Sequence, residues 1–188
     1  MIKDIPCVIL AGGKSSRMGE DKSLLPFEKY NTLIEYQYSK LSQIFKDVYI
    51  SSKTDKFNFN AELILDNSDI YSPMIALKTI LEQFNNKVFI IGVDIPFVKE
   101  ETIKTLIKKS DNYDITIASD SQYTHNLCGI YNCNLLLTID DLINKNIHKI
   151  NYLVKNHNSQ IVKFDNSEEF LNLNTQQQYQ EAIKTLKL

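Results

Sequence analysis

The sequence predicts an α/β fold with a doubly wound, mainly parallel sheet, in a single domain spanning residues 1–188. Three observations carry that prediction. Short β-type runs alternate with helical patterns along the chain, the signature of successive βαβ units. Val88-Phe89-Ile90-Ile91-Gly92-Val93 shows no polar alternation, as expected of a strand covered on both faces and therefore central in a parallel sheet. The 188 residues contain no repeat or low-complexity linker, and that length suits one domain with a proper core.

The elements follow in order. Pro6–Leu10 reads as a buried first strand, and the Gly- and charge-rich Ala11–Ser23 as a loop. Thr32 and Glu35 form a capping box, and the helix after it carries Ile34, Tyr38, Leu41 and Phe45 on one face. Val48–Ser51 and Leu63–Leu65 are the second and third strands. Ser72-Pro73 opens a helix, with Ser as cap and Pro in the first turn, whose inner face is Met74, Leu77, Leu81 and Phe84. After the central strand comes a helix from about Lys99 to Lys109. Strands follow at Tyr113–Ala118 and Gly129–Asn132, then helical material from about Asn134 to Asn156. Gln160–Phe164 is the last strand, and Thr175–Gln178 a second capping box before the C-terminal helix.

Composition excludes several functions. Hydrophobic residues at 43% and charged residues at 23% are ordinary soluble values, which argues against disorder. The longest apolar runs are too short to span a bilayer, so no membrane partner is expected. A net charge of −2 argues against a broad nucleic-acid surface. Met1–Ile5 holds Lys3 and Asp4 and leads straight into a strand without a secretory pattern, so a cytoplasmic location is expected. Cys7, Cys128 and Cys133 include no CxxC pair and read as buried thiols. His125, His148 and His157 lack zinc-site spacing.

Chemistry concentrates in two places. The first is Leu10-Ala11-Gly12-Gly13-Lys14-Ser15-Ser16-Arg17-Met18-Gly19-Glu20-Asp21-Lys22, at the carboxyl edge of the sheet, where open α/β folds bind ligands. Gly12 and Gly13 let backbone N–H groups approach a phosphate closely, and Arg17 and Lys22 add two cations for a triphosphate. A solvated Gly/Lys turn is the plainer alternative. Two common phosphate loops are excluded: a P-loop needs glycine where Val8 stands, and Gly12-Gly13 does not fit GxGxxG. The second place is Asp94, in Val93-Asp94-Ile95-Pro96-Phe97 after the central strand. A carboxylate there is costly unless paired, hydrated or metal-bound. It suits an NTP–Mg²⁺ complex or, more plainly, a cap or Asx turn before Pro96.

The thirteen-residue string resembles the LAGGxSxRMGxDK signature of the nucleotidyltransferase family that makes NDP-sugars and activated cofactors, in the form typical of its molybdenum cofactor guanylyltransferase (MobA-like) branch. The resemblance implies a Rossmann-like sandwich of the nucleotide-diphospho-sugar transferase kind, with Leu10, Ala11, Gly12 and Gly13 holding the nucleotide and Lys22 its phosphates. Asp94-Ile95-Pro96-Phe97 looks like the family's D-x-P-[FY] motif, whose Asp binds Mg²⁺. Further matches occur in the family's order. Ser51 and Asp66 fall at strand-end positions that contact the nucleotide, and Pro73 lies in the segment that forms the base pocket. Asn172-Leu173-Asn174-Thr175 resembles N-x-N-T, whose asparagines face the acceptor or the metal, although Thr175 also reads as a simple cap. His125 sits near the family's acceptor pocket, with a purely structural role as the alternative.

One departure bears on the base. The branch usually has G-P-L-x-G where this chain has Ser72-Pro73-Met74-Ile75-Ala76, so a methyl group at Ala76 narrows the pocket. The implied reaction is transfer of GMP from GTP to Mo-molybdopterin, with Mg²⁺ as cofactor, catalysed by Arg17, Lys22 and Asp94. The resemblance also implies transient contact with molybdenum-insertion and molybdoenzyme chaperone proteins. The rivals are a cytidylyl- or sugar-nucleotidyltransferase and a non-catalytic GTP-binding homologue.

Overall fold

A computed structural model describes residues 1–13 and 19–186. Among the described residues, seven strands form one sheet: β1 (Cys7–Leu10), β2 (Val48–Ser52), β3 (Glu62–Leu65), β4 (Lys87–Gly92), β5 (Ile115–Ser119), β6 (Thr124–Asn132) and β7 (Ser159–Lys163). Their order is β3-β2-β1-β4-β6-β5-β7. The pairs β1–β2, β2–β3, β1–β4 and β5–β7 are parallel, and β6 runs antiparallel to both β4 and β5. Strand β4, apolar from Val88 on, is fourth of the seven, the central place its sequence predicts.

Helices cover both faces. They are α1 (Leu33–Leu41), α2 (Pro73–Leu81), α3 (Glu100–Lys108), α4 (Leu136–Asn144), α5 (Ile150–Asn156) and α6 (Gln176–Leu186). Successive strand residues point to opposite faces, so Val8 and Ile9 belong to different cores. Ile9, Ile50, Phe89 and Ile91 pack with α1, α3 and α6. Val8, Ile64 and Ile90 pack with α2, α4 and α5. The sheet is thus doubly wound, as expected. Among the described residues, no helix is long and apolar enough to cross a membrane.

Both capping boxes form, with one shared variation. Thr32 accepts from the Glu35 N–H, and Glu35 Oε2 accepts from Asn31 N–H at 3.1 Å, one residue before the cap. Thr175 and Gln178 repeat the pattern, with Gln178 Oε1 accepting from Asn174 N–H at 3.0 Å.

Two elements differ from the sequence reading. The helical stretch from 134 to 156 is broken into α4 and α5. Asn146 adopts the left-handed region (φ 59°), Asn146 N–H donates to Ile143 O, and Ile147 N–H donates to Leu142 O. This is a Schellman stop with Asn in place of the usual glycine. Strand β6 begins at Thr124, five residues before the expected Gly129, and pairs with β5 across a register shift at Ile117/Ala118. Among the cysteines, Cys7 and Cys128 are buried as expected, whereas Cys133 is only half-buried.

Gly129 permits the β5–β6 approach. A Cβ there would lie 2.2 Å from Thr116 O and 2.7 Å from Ile117 Cα. Both obstacles are backbone, so neither can rotate aside. Gly129→Ala is expected to destabilise the fold by about 2 kcal/mol, read as a lower midpoint in urea unfolding.

Candidate active site

The βαβ order of the first half brings three strand ends together. Leu10 is in register with Ser51 on one side and Gly92 on the other. The chain leaves β1 toward β2 and β3, then returns to β4 on the opposite side, so β1/β4 is the topological switch point of the sheet. Ala11 N–H donates to Ser51 O at 2.8 Å and Val93 N–H to Leu10 O at 3.1 Å, which extends the pairing just past the strands.

A cavity of about 220 Å³ opens there. Leu10, Gly12, Gly13, Ser51, Asp66 and Pro73, six of the residues expected to bind nucleotide, line it. Ala11 lies beside them, 2% exposed. Asp66 is buried and fully engaged: Oδ2 pairs with Lys53 Nζ at 2.7 Å, and Oδ1 accepts from Ser68 N–H at 3.0 Å. Lys53 also donates to the carbonyls of Ser68 and Ile70 and sits 5.3 Å from the Tyr71 ring centre. One lysine therefore clamps the 66–71 wall of the cavity.

Lys22 and Asp94 meet at the same edge of the sheet, just past the end of β4. Lys22 Nζ lies 2.9 Å from Asp94 Oδ2 and 2.8 Å from Asn174 Oδ1, joining residues far apart in the chain. Lys22 opens a short 3-10 turn whose cap is Asp21; Asp21 Oδ1 accepts from Ser23 N–H at 3.0 Å and Oγ at 2.7 Å, and Asp21 pairs with Lys56. Burial raises the Asp21 carboxyl, but the bonds from Lys56 and Ser23 outweigh it and hold the group below its ordinary range. Lys56 also donates to Ala11 O at 3.3 Å, tying this turn to the first loop. Arg17 falls outside the described residues.

Asp94 is held from several directions. Its carbonyl accepts from Leu173 N–H at 2.8 Å, which draws the 172–174 segment over the strand end. A Cβ on Gly92 would lie 2.4 Å from Asp94 Oδ1, so glycine is needed there for the carboxylate to turn back. From α1, Gln37 Nε2 reaches the Gly92 and Val93 carbonyls, each at 3.2 Å, and Lys40 Nζ reaches the Pro96 and Val98 carbonyls at 2.7 Å. Burial pushes the Lys40 ammonium down from 10.5 to about 8. The unfolded chain therefore binds the extra proton between those values, so the cost of burying Lys40 is full below pH 8 and is relieved as pH rises. Compared with Lys40→Met, the unmodified chain is expected to gain relative stability from about pH 8 toward 10, measured by chemical unfolding across that range.

The residues expected to meet the acceptor are divided. Asn174 joins Lys22. Asn172 donates to Phe170 O at 3.2 Å and lines a separate cavity of about 490 Å³ with Phe97, Lys99 and Gln178. His125 lines neither cavity. It is buried, its Nε2 lies 3.1 Å from Asp120 Oδ2, and its ring stacks on Phe170 at 4.5 Å. Lys53, Lys56, Gln37 and Lys40 were not visible as site residues in the sequence. The only trace of the first two was a pair of lysines just after the second strand.

Comparison with known proteins identifies the family. Residues 7–160 match the family model of the MobA-like NTP transferase domain. The chain is 43% identical over 190 residues, 99% of each protein, to the molybdenum cofactor guanylyltransferase of Campylobacter jejuni subsp. doylei. It is 37% identical to that of Helicobacter pylori, over 100% of this chain and 96% of the relative. Among solved structures, a protein of Aquifex aeolicus VF5 superimposes with TM-score 0.76 at 31% identity, covering 91% of this chain and 94% of that one. Molybdopterin-guanine dinucleotide biosynthesis protein A from Archaeoglobus fulgidus shares the fold with TM-score 0.83 at 21% identity, over 97% of this chain and 99% of that one. On this match and these identities, the chain belongs to the MobA-like NTP transferase family.

Proposed function

We propose that the protein is a molybdenum cofactor guanylyltransferase, working as one nucleotidyltransferase domain in the cytoplasm. It transfers GMP from GTP to Mo-molybdopterin, releases pyrophosphate and forms the guanine dinucleotide cofactor. Full-length identity to relatives of that name supports the reading. The single observation that carries it is the Lys22 ammonium between Asp94 Oδ2 and Asn174 Oδ1, at the sheet edge where the first loop leaves β1.

In this reading Leu10, Ala11, Gly12, Gly13, Ser51, Asp66 and Pro73 hold the nucleoside, and Arg17 and Lys22 its phosphates. Asn172 and Asn174 face the acceptor side, while His125 stacks on Phe170 behind them and supports the segment from within the fold. The donor set fits a divalent metal: a carboxylate and an amide oxygen are already gathered within 3 Å of one positive charge. Those all-oxygen donors suit a hard ion, and we assign Asp94 as the Mg²⁺ ligand with Asn174 beside it. When bound, Mg²⁺ supplies charge neutralisation across the phosphates.

An oxygen of the acceptor phosphate attacks the α-phosphorus of GTP, and the bond from that phosphorus to the bridging oxygen breaks. Pyrophosphate leaves with the electron pair. The acceptor phosphate is already ionised, so no strong general base is required, and catalysis is positioning plus charge stabilisation. Lys22 and Arg17 stabilise charge on the α-phosphate and the leaving group. Delivery of the product through molybdenum-insertion and molybdoenzyme chaperone proteins completes the proposal.

The test is pyrophosphate release from each of the four NTPs with Mo-molybdopterin as acceptor. Release from GTP well above the other three supports the assignment. Preference for CTP, or release with a sugar phosphate in place of Mo-molybdopterin, moves the protein to the cytidylyl or sugar class. Tight GTP binding without turnover makes it a non-catalytic homologue.

A further inference from the structure

The Schellman stop after α4 has a second effect. It turns the 145–149 segment back toward the N-terminus of α2. His148 Nδ1 lies 3.2 Å from Ser72 Oγ, and His148 Nε2 lies 3.0 Å from Asn146 Oδ1. Ser72 also caps α2, its Oγ accepting from Ile75 N–H at 3.4 Å, and it lines the nucleotide cavity beside Pro73 and Ala76.

The direction of this chain follows from the donor inventory. An amide oxygen only accepts, so with Asn146 Oδ1 facing Nε2, that nitrogen carries the ring proton. In the neutral imidazole Nδ1 then has only a lone pair, so Ser72 must donate its proton to it. A hydroxyl has one proton and two lone pairs. The proton goes to His148 and one lone pair to Ile75 N–H, which leaves Ser72 one lone pair and no proton to offer a ligand.

We infer that Ser72 is a specificity-determining residue for the nucleobase, and that His148 and Asn146 are positioning residues that fix its hydroxyl as an acceptor for an N–H of the guanine Watson–Crick edge. The inference rests on guanylyl transfer as proposed above and names the feature of the base that is read. Guanine carries N–H groups at positions 1 and 2. Adenine carries a bare lone pair at position 1, which would face the Ser72 lone pair. A hydroxyl committed to accepting at position 1 disfavours adenine there, since adenine's only Watson–Crick donor is its 6-amino group. Ser72 thus supplies base discrimination at the position where this chain departs from the glycine usual in its branch.

The test compares GTP and ATP, each with Mg²⁺, by calorimetric titration of the full chain and by KM and kcat for pyrophosphate release. Ser72→Ala is expected to lower the GTP-over-ATP preference roughly tenfold, through KM rather than kcat. Ser72→Thr is expected to restore it. Because Ser72→Ala also removes the α2 cap, His148→Phe provides a second variant. That change leaves the cap in place but releases the hydroxyl to rotate, so the preference should fall several-fold. A loss of stability alone would move both nucleotides together and leave the ratio unchanged. A preference unchanged in both Ser72→Ala and His148→Phe overturns this inference and leaves guanylyl transfer standing. No GTP preference in the unmodified chain overturns both.

Discussion

Asp94→Ala is expected to lower pyrophosphate release from GTP by roughly 10³-fold or more, while the thermal midpoint stays close to that of the unmodified chain. The two halves of this expectation have separate causes. Activity falls because the substitution removes the carboxylate assigned to the metal and also the partner that holds Lys22 Nζ at 2.9 Å. Stability persists because the Asp94 backbone, not its side chain, makes the tertiary link: its carbonyl accepts from Leu173 N–H. The side chain is 24% exposed, and a partly solvated ion pair contributes little to folding. The measurements are steady-state turnover at ordinary Mg²⁺ and a melting curve on the same sample. Full turnover in this variant would sink the metal assignment, and a collapsed melting curve would show that the carboxylate serves the fold.

Lys22→Ala should cut kcat by roughly 10²-fold or more at saturating GTP. Lys22 is the described cation that joins Asp94 and Asn174, the residues assigned above to the metal and the acceptor. Without it, charge on the leaving pyrophosphate has one fewer stabiliser, and Asp94 and Asn174 lose the cation between them. Lys22→Arg is a useful companion. A planar guanidinium does not reproduce a compact ammonium sitting between two single oxygens, so it should recover little. An unchanged kcat in Lys22→Ala would remove this residue from the chemistry.

Much of the fold was legible because local chemistry agrees with global position. Residues 88–93 lack polar alternation, and the strand they form is central. Thr32, Ser72 and Thr175 are good caps, and each starts a helix. The break at Asn146 was harder to read. An Asn inside Asn144-Lys145-Asn146 looks like a poor helix residue, but only the tertiary fold decides whether it stops the helix. The early start of β6 was hidden for a similar reason. Thr124–Asn126 has no apolar run, and its pairing is set by the register shift in β5.

The site was legible where function sits in a contiguous motif, and illegible where it depends on contacts across the fold. Leu10–Gly13, Lys22 and Asp94 lie in short strings whose spacing is informative. Gln37 and Lys40 look like the polar face of an ordinary amphipathic helix, yet both reach the turn that carries Asp94. Lys53 lies in an unremarkable polar stretch, and its role depends on Asp66 and on two carbonyls beyond it. His148 gave no signal, because its partner Ser72 is 76 residues away.

The contact between Lys22 and Asn174 also sets a time of assembly. The two residues are 152 positions apart. At synthesis speeds of about 5–20 residues per second, Asn174 is made roughly eight to thirty seconds after Lys22. During that interval the nascent chain can build β1 to β4 and the walls of the cavity beside the first loop, but not the contact between Lys22 and Asn174. A ribosome stalled short of residue 174 therefore carries a chain that lacks the asparagine facing Lys22. The Lys22–Asp94–Asn174 cluster becomes complete only when the segment before α6 reaches Lys22.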